Sequence, residues 1–184
     1  MRELSLHILD IVQNSIAAKA TRIEIDIVEN SAENRMLIRI ADNGAGMTPE
    51  ILARVSDPFY TTREERKVGF GVALFKDTAI RAAGNLTIES EPSKGTTVTV
   101  NMELRHVDRL PLGDITETIV ATVMSKPEIA LVYRHRIDER KYCFESKDFS
   151  GLINEDGGID FRILNRMKRS IQTGLGTLRN AKDI

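Results

Sequence analysis

The run Asp42-Asn43-Gly44-Ala45-Gly46-Met47 constrains this chain more than any other: a carboxylate followed by two glycines one residue apart. It comes directly after Met36-Leu37-Ile38-Arg39-Ile40-Ala41, an apolar run rich in strand formers. Glycine tolerates positive φ and lets another backbone approach closely. Two of them after a strand read as a turn. Alone, the pattern describes any tight turn after a strand. Three further motifs stand around it in a fixed order.

Upstream, Leu4 to Ala20 reads as an amphipathic helix, with Leu4, Ile8, Ile11, Val12, Ser15 and Ile16 on one stripe. Asp10 and Asn14 stand at i and i+4, on a common helix face. A carboxylate and an amide carbonyl so placed can serve a hydrated metal and a reactive water, and Mg²⁺ takes hard oxygen ligands. The same pair also suits a solvated polar face. Downstream, Asp57-Pro58-Phe59-Tyr60-Thr61-Thr62 places a helix-stopping proline before two aromatics and two hydroxyls; this is also the pattern of a loop anchored by aromatics. Gly69-Phe70-Gly71-Val72 opens a helix expected over about Val72 to Ala83. Free N–H groups and the positive end of the helix dipole suit phosphate there. Gly95-Thr96-Thr97 starts an alternating strand that continues through Val98 and Val100.

With the four motifs in this order, residues 1 to about 104 resemble the GHKL superfamily of ATP-binding domains: gyrase, Hsp90-type chaperones, histidine kinases and MutL-type mismatch repair proteins. Val12-Gln13-Asn14-Ser15-Ile16 resembles the MutL form of the first box. Asp57 to Thr62 and Glu89 to Thr97 resemble the histidine-kinase form. The resemblance implies a two-layer α+β sandwich of the Bergerat type, a mixed, largely antiparallel sheet with helices on one face. Strands are expected near Arg22–Val28, Met36–Ala41, Asn85–Ser90 and Thr96–Glu103.

It also implies ATP and Mg²⁺. Asn14 would coordinate the metal, and Asp42 would accept from the adenine amino group in a charge-assisted bond. Gly44, Gly46 and Met47 would pass close to the base, and Thr97, or Thr96, would assist Asp42. Phe59, Thr61 and Thr62 would border the nucleotide. Gly69, Phe70, Gly71 and Val72 would close over the phosphates at the end of a lid spanning Thr61 to Val68. Asp10 stands where hydrolysing and phosphorylating members carry Glu as general base. It has the same chemistry with one methylene less reach, and a base must lie within hydrogen-bond distance of its proton. Ala17 and Ala73 replace an Asp and a Gly common in the MutL and kinase forms.

Other chemistry finds little support. His7, His106 and His135 are the three histidines, and none is followed by the acidic residue and proline of a phosphoacceptor. The first helix begins within a few residues of Met1, so no acceptor hairpin is expected before it. Cys143 is the single cysteine, which suits a reducing, cytoplasmic setting. No apolar run approaches the ~20 residues of a membrane span. A net charge of −1 does not advertise nucleic acid.

A boundary is expected near 105. Beyond it, 105–184 reads as a small α+β extension: a helix from Asp114 to Ser125 capped by Asp114 or Thr116, then strands Ile129 to Ile137 and Lys141 to Ser146 around an Asp138-Glu139-Arg140 turn. One turn at Ser150 to Ile153 and a basic helix from Ile159 to Leu178 follow, with Gly174 and Gly176 weakening its end. Such a hairpin needs a surface to pack on. The extension reads either as a cap on the ATP-binding part or as a docking unit. The functional expectation is a Mg-ATP-binding protein that acts as a stand-alone regulatory kinase or switch on a separate protein. The alternatives are an ATPase coupled to dimerisation, as in gyrase and MutL relatives, and an ATP sensor without catalysis. The sequence leaves the partner and the oligomeric state open.

Overall fold

The computed structural model describes residues 2–55, 70–149, 151–153 and 158–180. Strands β1 (Arg22–Asn30) and β2 (Arg35–Asp42) alternate as the sequence does. Ile23, Ile25 and Ile27, and Met36, Ile38 and Ile40, are buried on one face. β3 (Asn85–Glu91) and β4 (Gly95–Glu103) continue that face with Leu86, Val98, Val100 and Met102. With β5 (Ala130–Ile137) and β6 (Arg140–Glu145) they form one six-stranded sheet in the order β3-β4-β2-β1-β5-β6. The β1–β5 pair is parallel and the others are antiparallel. Helices α1 (Leu4–Ala17), α3 (Phe70–Arg81), α4 (Ile115–Ser125) and α5 (Phe161–Asn180) bury their apolar stripes against the inner face; α2 (Pro49–Leu52) is a single turn. This is the expected two-layer α+β sandwich.

The other face of the sheet carries most of its charged side chains. Asp26 lies opposite Arg39 on β2 and Arg134 on β5, at 3.2 and 2.9 Å, and Arg134 also reaches Glu24 at 2.8 Å. Exposed pairs of this kind contribute little each. A one-residue slip is costly here, because it would turn every isoleucine outward.

Several boundaries differ from expectation for identifiable reasons. α1 ends at Ala17 and not at Ala20, because Lys19 takes φ +60 and brings Ala20 back into the core. α3 begins at Phe70 and ends at Arg81; Ala83 then turns with φ +53. The hairpin turn is Asp138-Glu139 alone, since Arg140 already pairs with Ile137. Asp114 is the cap of α4, accepting from the Glu117 N–H at 3.0 Å. A short helical turn forms at Ser146–Asp148, and Ile153 bridges to Ile159; Ser150 is outside the described residues.

The residues after 105 share the sheet with those before. β5 joins β1 directly, so the hairpin's packing surface is the sheet itself. The segment leading into α4 also serves α1. Leu4 and Ser5 N–H groups, in its otherwise unpaired first turn, donate to Pro111 and Leu112 carbonyls at 3.0 and 2.8 Å. Thr118 Oγ1 donates to the Ser5 carbonyl at 3.1 Å. Across the β1–β5 junction, buried His135 lies 2.8 Å from Tyr133 Oη and 2.9 Å from Glu29 Oε1. Burial alone would raise the Glu29 carboxyl. The His135 hydrogen bond and the surrounding positive charge bring it below its ordinary range.

His7 on α1 is buried and stacked on Phe75, with ring centroids 5.0 Å apart, and its Nε2 lies 3.1 Å from Thr78 Oγ1. Burial lowers its pKa from 6.5 to about 4. The unfolded chain takes up this proton more readily than the folded one. The stability contribution is therefore complete above pH 6.5 and is lost as pH falls through about 4. The loss should approach about 3 kcal/mol. Urea unfolding followed against pH should show it, and His7→Phe, which keeps the stacking, should remove that part of the slope.

Candidate functional site

The site forms where the end of α1, the turn after β2 and the β3–β4 hairpin meet. Asp42 ends β2 on the helix-covered face, opposite Thr96. Its Oδ1 accepts from the Gly44 N–H at 2.8 Å, and its Oδ2 from the Ser15 hydroxyl at 2.6 Å. The carboxylate is thus held by its own turn and by α1. Asn43 fixes the same turn to the start of β1, accepting from the Thr21 and Arg22 N–H groups at 2.9 and 2.8 Å.

The glycines are where backbones touch. The Ala45 N–H donates to the Ala18 carbonyl at 2.9 Å, and a Cβ on Gly44 would stand 2.8 Å from that oxygen. Gly46 takes φ +66, and a Cβ there would overlap the Glu91 carbonyl oxygen. Its neighbours tie the turn to the hairpin: the Ser93 N–H donates to the Ala45 carbonyl at 2.7 Å, and the Met47 N–H to Ser90 Oγ at 2.9 Å. Ser90 Oγ in turn lies 2.9 Å from Thr96 Oγ1.

The register decides between the two threonines. Thr96 pairs with Asp42 and Ser90, so these three side chains share the inner face. Thr97 pairs with Ala41 and belongs to the outer face. Of the two threonines expected to assist Asp42, Thr96 is therefore the one on its face, because strand side chains alternate. Asp10 lies on α1 one turn before Asn14. Gly71, in the first turn of α3, faces it, and a Cβ at 71 would stand 3.3 Å from Asp10 Oδ2. Asn14 is exposed, Met47 is half-buried and Val72 is buried. Phe70 opens α3 with its backbone. Phe59, Thr61, Thr62 and Gly69, with the lid expected over Thr61 to Val68, lie outside the described residues.

Ser15 and Ser90 are the site residues that the sequence reading missed. Ser15 counts as one more member of an apolar stripe until its hydroxyl is seen against Asp42. A serine among leucine, isoleucine and valine was the available signal. Chemically, the arrangement offers an acceptor-only carboxylate with lone pairs beyond the two bonds it makes, two hydroxyls beside it, and oxygen donors along one helix. Among the described residues, no group of three or more His, Cys, Asp or Glu is placed to hold a metal by itself. No described helix is long and apolar enough to cross a membrane.

Residues 2–106 match the family model described as histidine kinase-, DNA gyrase B-, and HSP90-like ATPase. Among curated proteins, the chain is similar to sporulation kinase D of Bacillus subtilis, 28% identical over 95 residues, covering 52% of this chain and 19% of that one. It is also similar to sensor protein kinase FleS of Pseudomonas aeruginosa, 32% identical over 110 residues, covering 60% of this chain and 27% of that one. The match therefore spans only about a fifth to a quarter of these relatives' length. Among solved structures, the N-terminal domain of a DNA repair protein superposes with a TM-score of 0.51 at 15% identity, covering 78% of this chain and 52% of that one. The MutL ATPase domain of Aquifex aeolicus, complexed with ADP, gives 0.48 at 22% identity, covering 79% and 63%.

Proposed function

This chain belongs to the histidine kinase-, DNA gyrase B-, and HSP90-like ATPase family, and from that premise we propose that it binds Mg-ATP and acts as a regulatory kinase or switch on a separate protein in the cytoplasm. The observation that carries the nucleotide reading is Asp42, held from two sides by Ser15 and Gly44 at the mouth of the site. The donor set fits the nucleotide. Asp42 is an acceptor suited to an adenine amino group, Thr96 and Ser90 supply hydroxyls beside it, and Asn14 is a hard oxygen donor on the neighbouring helix.

In this reading Asp42 selects adenine over guanine, which presents an acceptor at the equivalent ring position. Gly44, Gly46 and Met47 line the base. Gly69, Phe70, Gly71 and Val72 bring the N-terminus of α3 to the phosphates, and Phe59, Thr61 and Thr62 border the nucleotide. Asn14 holds Mg²⁺, which when bound offsets the charge on the phosphates. Asp10 accepts the proton of the attacking hydroxyl or water. The lack of a side chain at Gly71 lets the first turn of α3 approach that carboxylate, since a Cβ there would stand 3.3 Å from Asp10 Oδ2.

The settings of the histidines support a separate protein as the acceptor. His7 and His135 are buried in the core, the first against Phe75 and the second between Tyr133 and Glu29. His106 lies in the connection after β4, and its Nδ1 accepts from the Asp108 N–H at 3.1 Å. Asp10→Ala is expected to keep ATP affinity and to lower phosphate release or transfer by roughly 100-fold, the usual scale for a general base. Turnover that survives the change would remove Asp10 from the role. Tight binding by the wild type with no turnover would identify a sensor without catalysis.

A further inference from the structure

β6 is the last strand of the sheet, and among the described residues no strand lies beyond it. The two-residue turn makes Ile137 and Arg140 a hydrogen-bonded pair. Arg140, Tyr142 and Phe144 therefore direct their backbone groups to β5, and Lys141, Cys143 and Glu145 direct theirs outward. Among the described residues, no turn or loop backbone group bonds to these three. Their side chains share the outer face, in register with Arg136, Arg134 and Val132, and Cys143 is exposed.

We propose that this edge is a two-fold interface in which β6 pairs antiparallel with β6 of a second copy, centred on Cys143, to give one continuous sheet across the dimer. The charges on the strand select both the partner and the register. With Cys143 opposite Cys143, Lys141 faces Glu145 of the partner subunit, and the symmetry repeats the pair. All three outward-directed residues then meet outward-directed residues, so the ladder closes. A shift to either neighbouring register with the same hydrogen-bond phase sets like charges together, Glu139 against Glu145 or Lys141 against Lys147. Like charges directly opposite each other across strands are destabilising. Glu145 also holds Lys147 of its own chain at 2.6 Å, on the same exposed surface. The opposite edge lacks this self-complementarity: β3 carries Glu89 and Glu91 and no cation. The interface needs no nucleotide, so it stands or falls independently of the ATP site.

The test is sedimentation equilibrium of the full chain without nucleotide. A dimer is expected. Lys141→Glu or Glu145→Lys alone should each weaken it by roughly tenfold or more, since two attractive pairs become repulsive. The double exchange Lys141→Glu/Glu145→Lys should restore it, which a folding defect cannot imitate. A short bismaleimide should join Cys143 to its symmetry mate in the wild type and the double variant, and far less in the singles. A wild type that stays monomeric at the highest concentration reached overturns the proposal. So does a dimer that neither single exchange weakens.

Discussion

Asp42→Asn is expected to reduce ATP affinity by roughly 100-fold or more while leaving the fold intact. The carboxylate already accepts from Ser15 and from Gly44, and the adenine amino group would be a third donor converging on it. An amide has one oxygen and no charge. Whichever way it turns, one of its two positions presents N–H groups, and the bond to the base loses its charge assistance. The fold should survive. The amide oxygen can keep the Gly44 bond, and the Ser15 hydroxyl can accept where it formerly donated. Thermal unfolding of the free variant should therefore stay close to wild type, while calorimetric titration with ATP loses its heat. Unchanged affinity in a folded variant would place the base elsewhere.

Gly95→Ala should have the largest effect on stability, about 3 kcal/mol or more. Gly95 takes φ +105, where a Cβ is strained in itself. That Cβ would also overlap the Asp42 carbonyl oxygen and stand 2.8 Å from Asn43 Cα. These are backbone atoms of the paired strand and cannot rotate away, so β2 and β4 would have to separate at the site. Denaturant unfolding measures the loss. Gly176→Ala is the control: nothing lies within 4 Å of a Cβ there, and the position is helical. Alanine should be neutral or stabilising by up to ~1 kcal/mol. Equal losses at the two positions would contradict the steric account.

The turn at Asp42, Gly44 and Gly46 was legible in the sequence because a tight turn demands particular residues of the backbone. The first four strands were legible through period-two alternation, with boundaries that move by a residue or two. Ser15 was hidden because it shares the stripe of a helix that it helps to bury. Choosing Thr96 over Thr97 needs the register, although Ile40 and Val98 on the inner face already imply the same parity for Asp42 and Thr96. The parallel β1–β5 junction was not legible. Which strand a late hairpin joins is a long-range choice, and only the fully buried run Leu131-Val132-Tyr133 hints at a strand covered on both sides. Gly174 was misread for a similar reason. Inside α5 it looks like a weakness, but a Cβ there would overlap the Tyr142 ring, so the missing side chain is what lets the helix sit on β6.

The most direct test of the central claim is calorimetric titration of the wild-type chain with ATP and with GTP, each with Mg²⁺. The account predicts micromolar-range binding of ATP, roughly −8 kcal/mol, and much weaker binding of GTP, because Asp42 offers only acceptors to the base. Equal binding of the two nucleotides, or no binding of either, would contradict it.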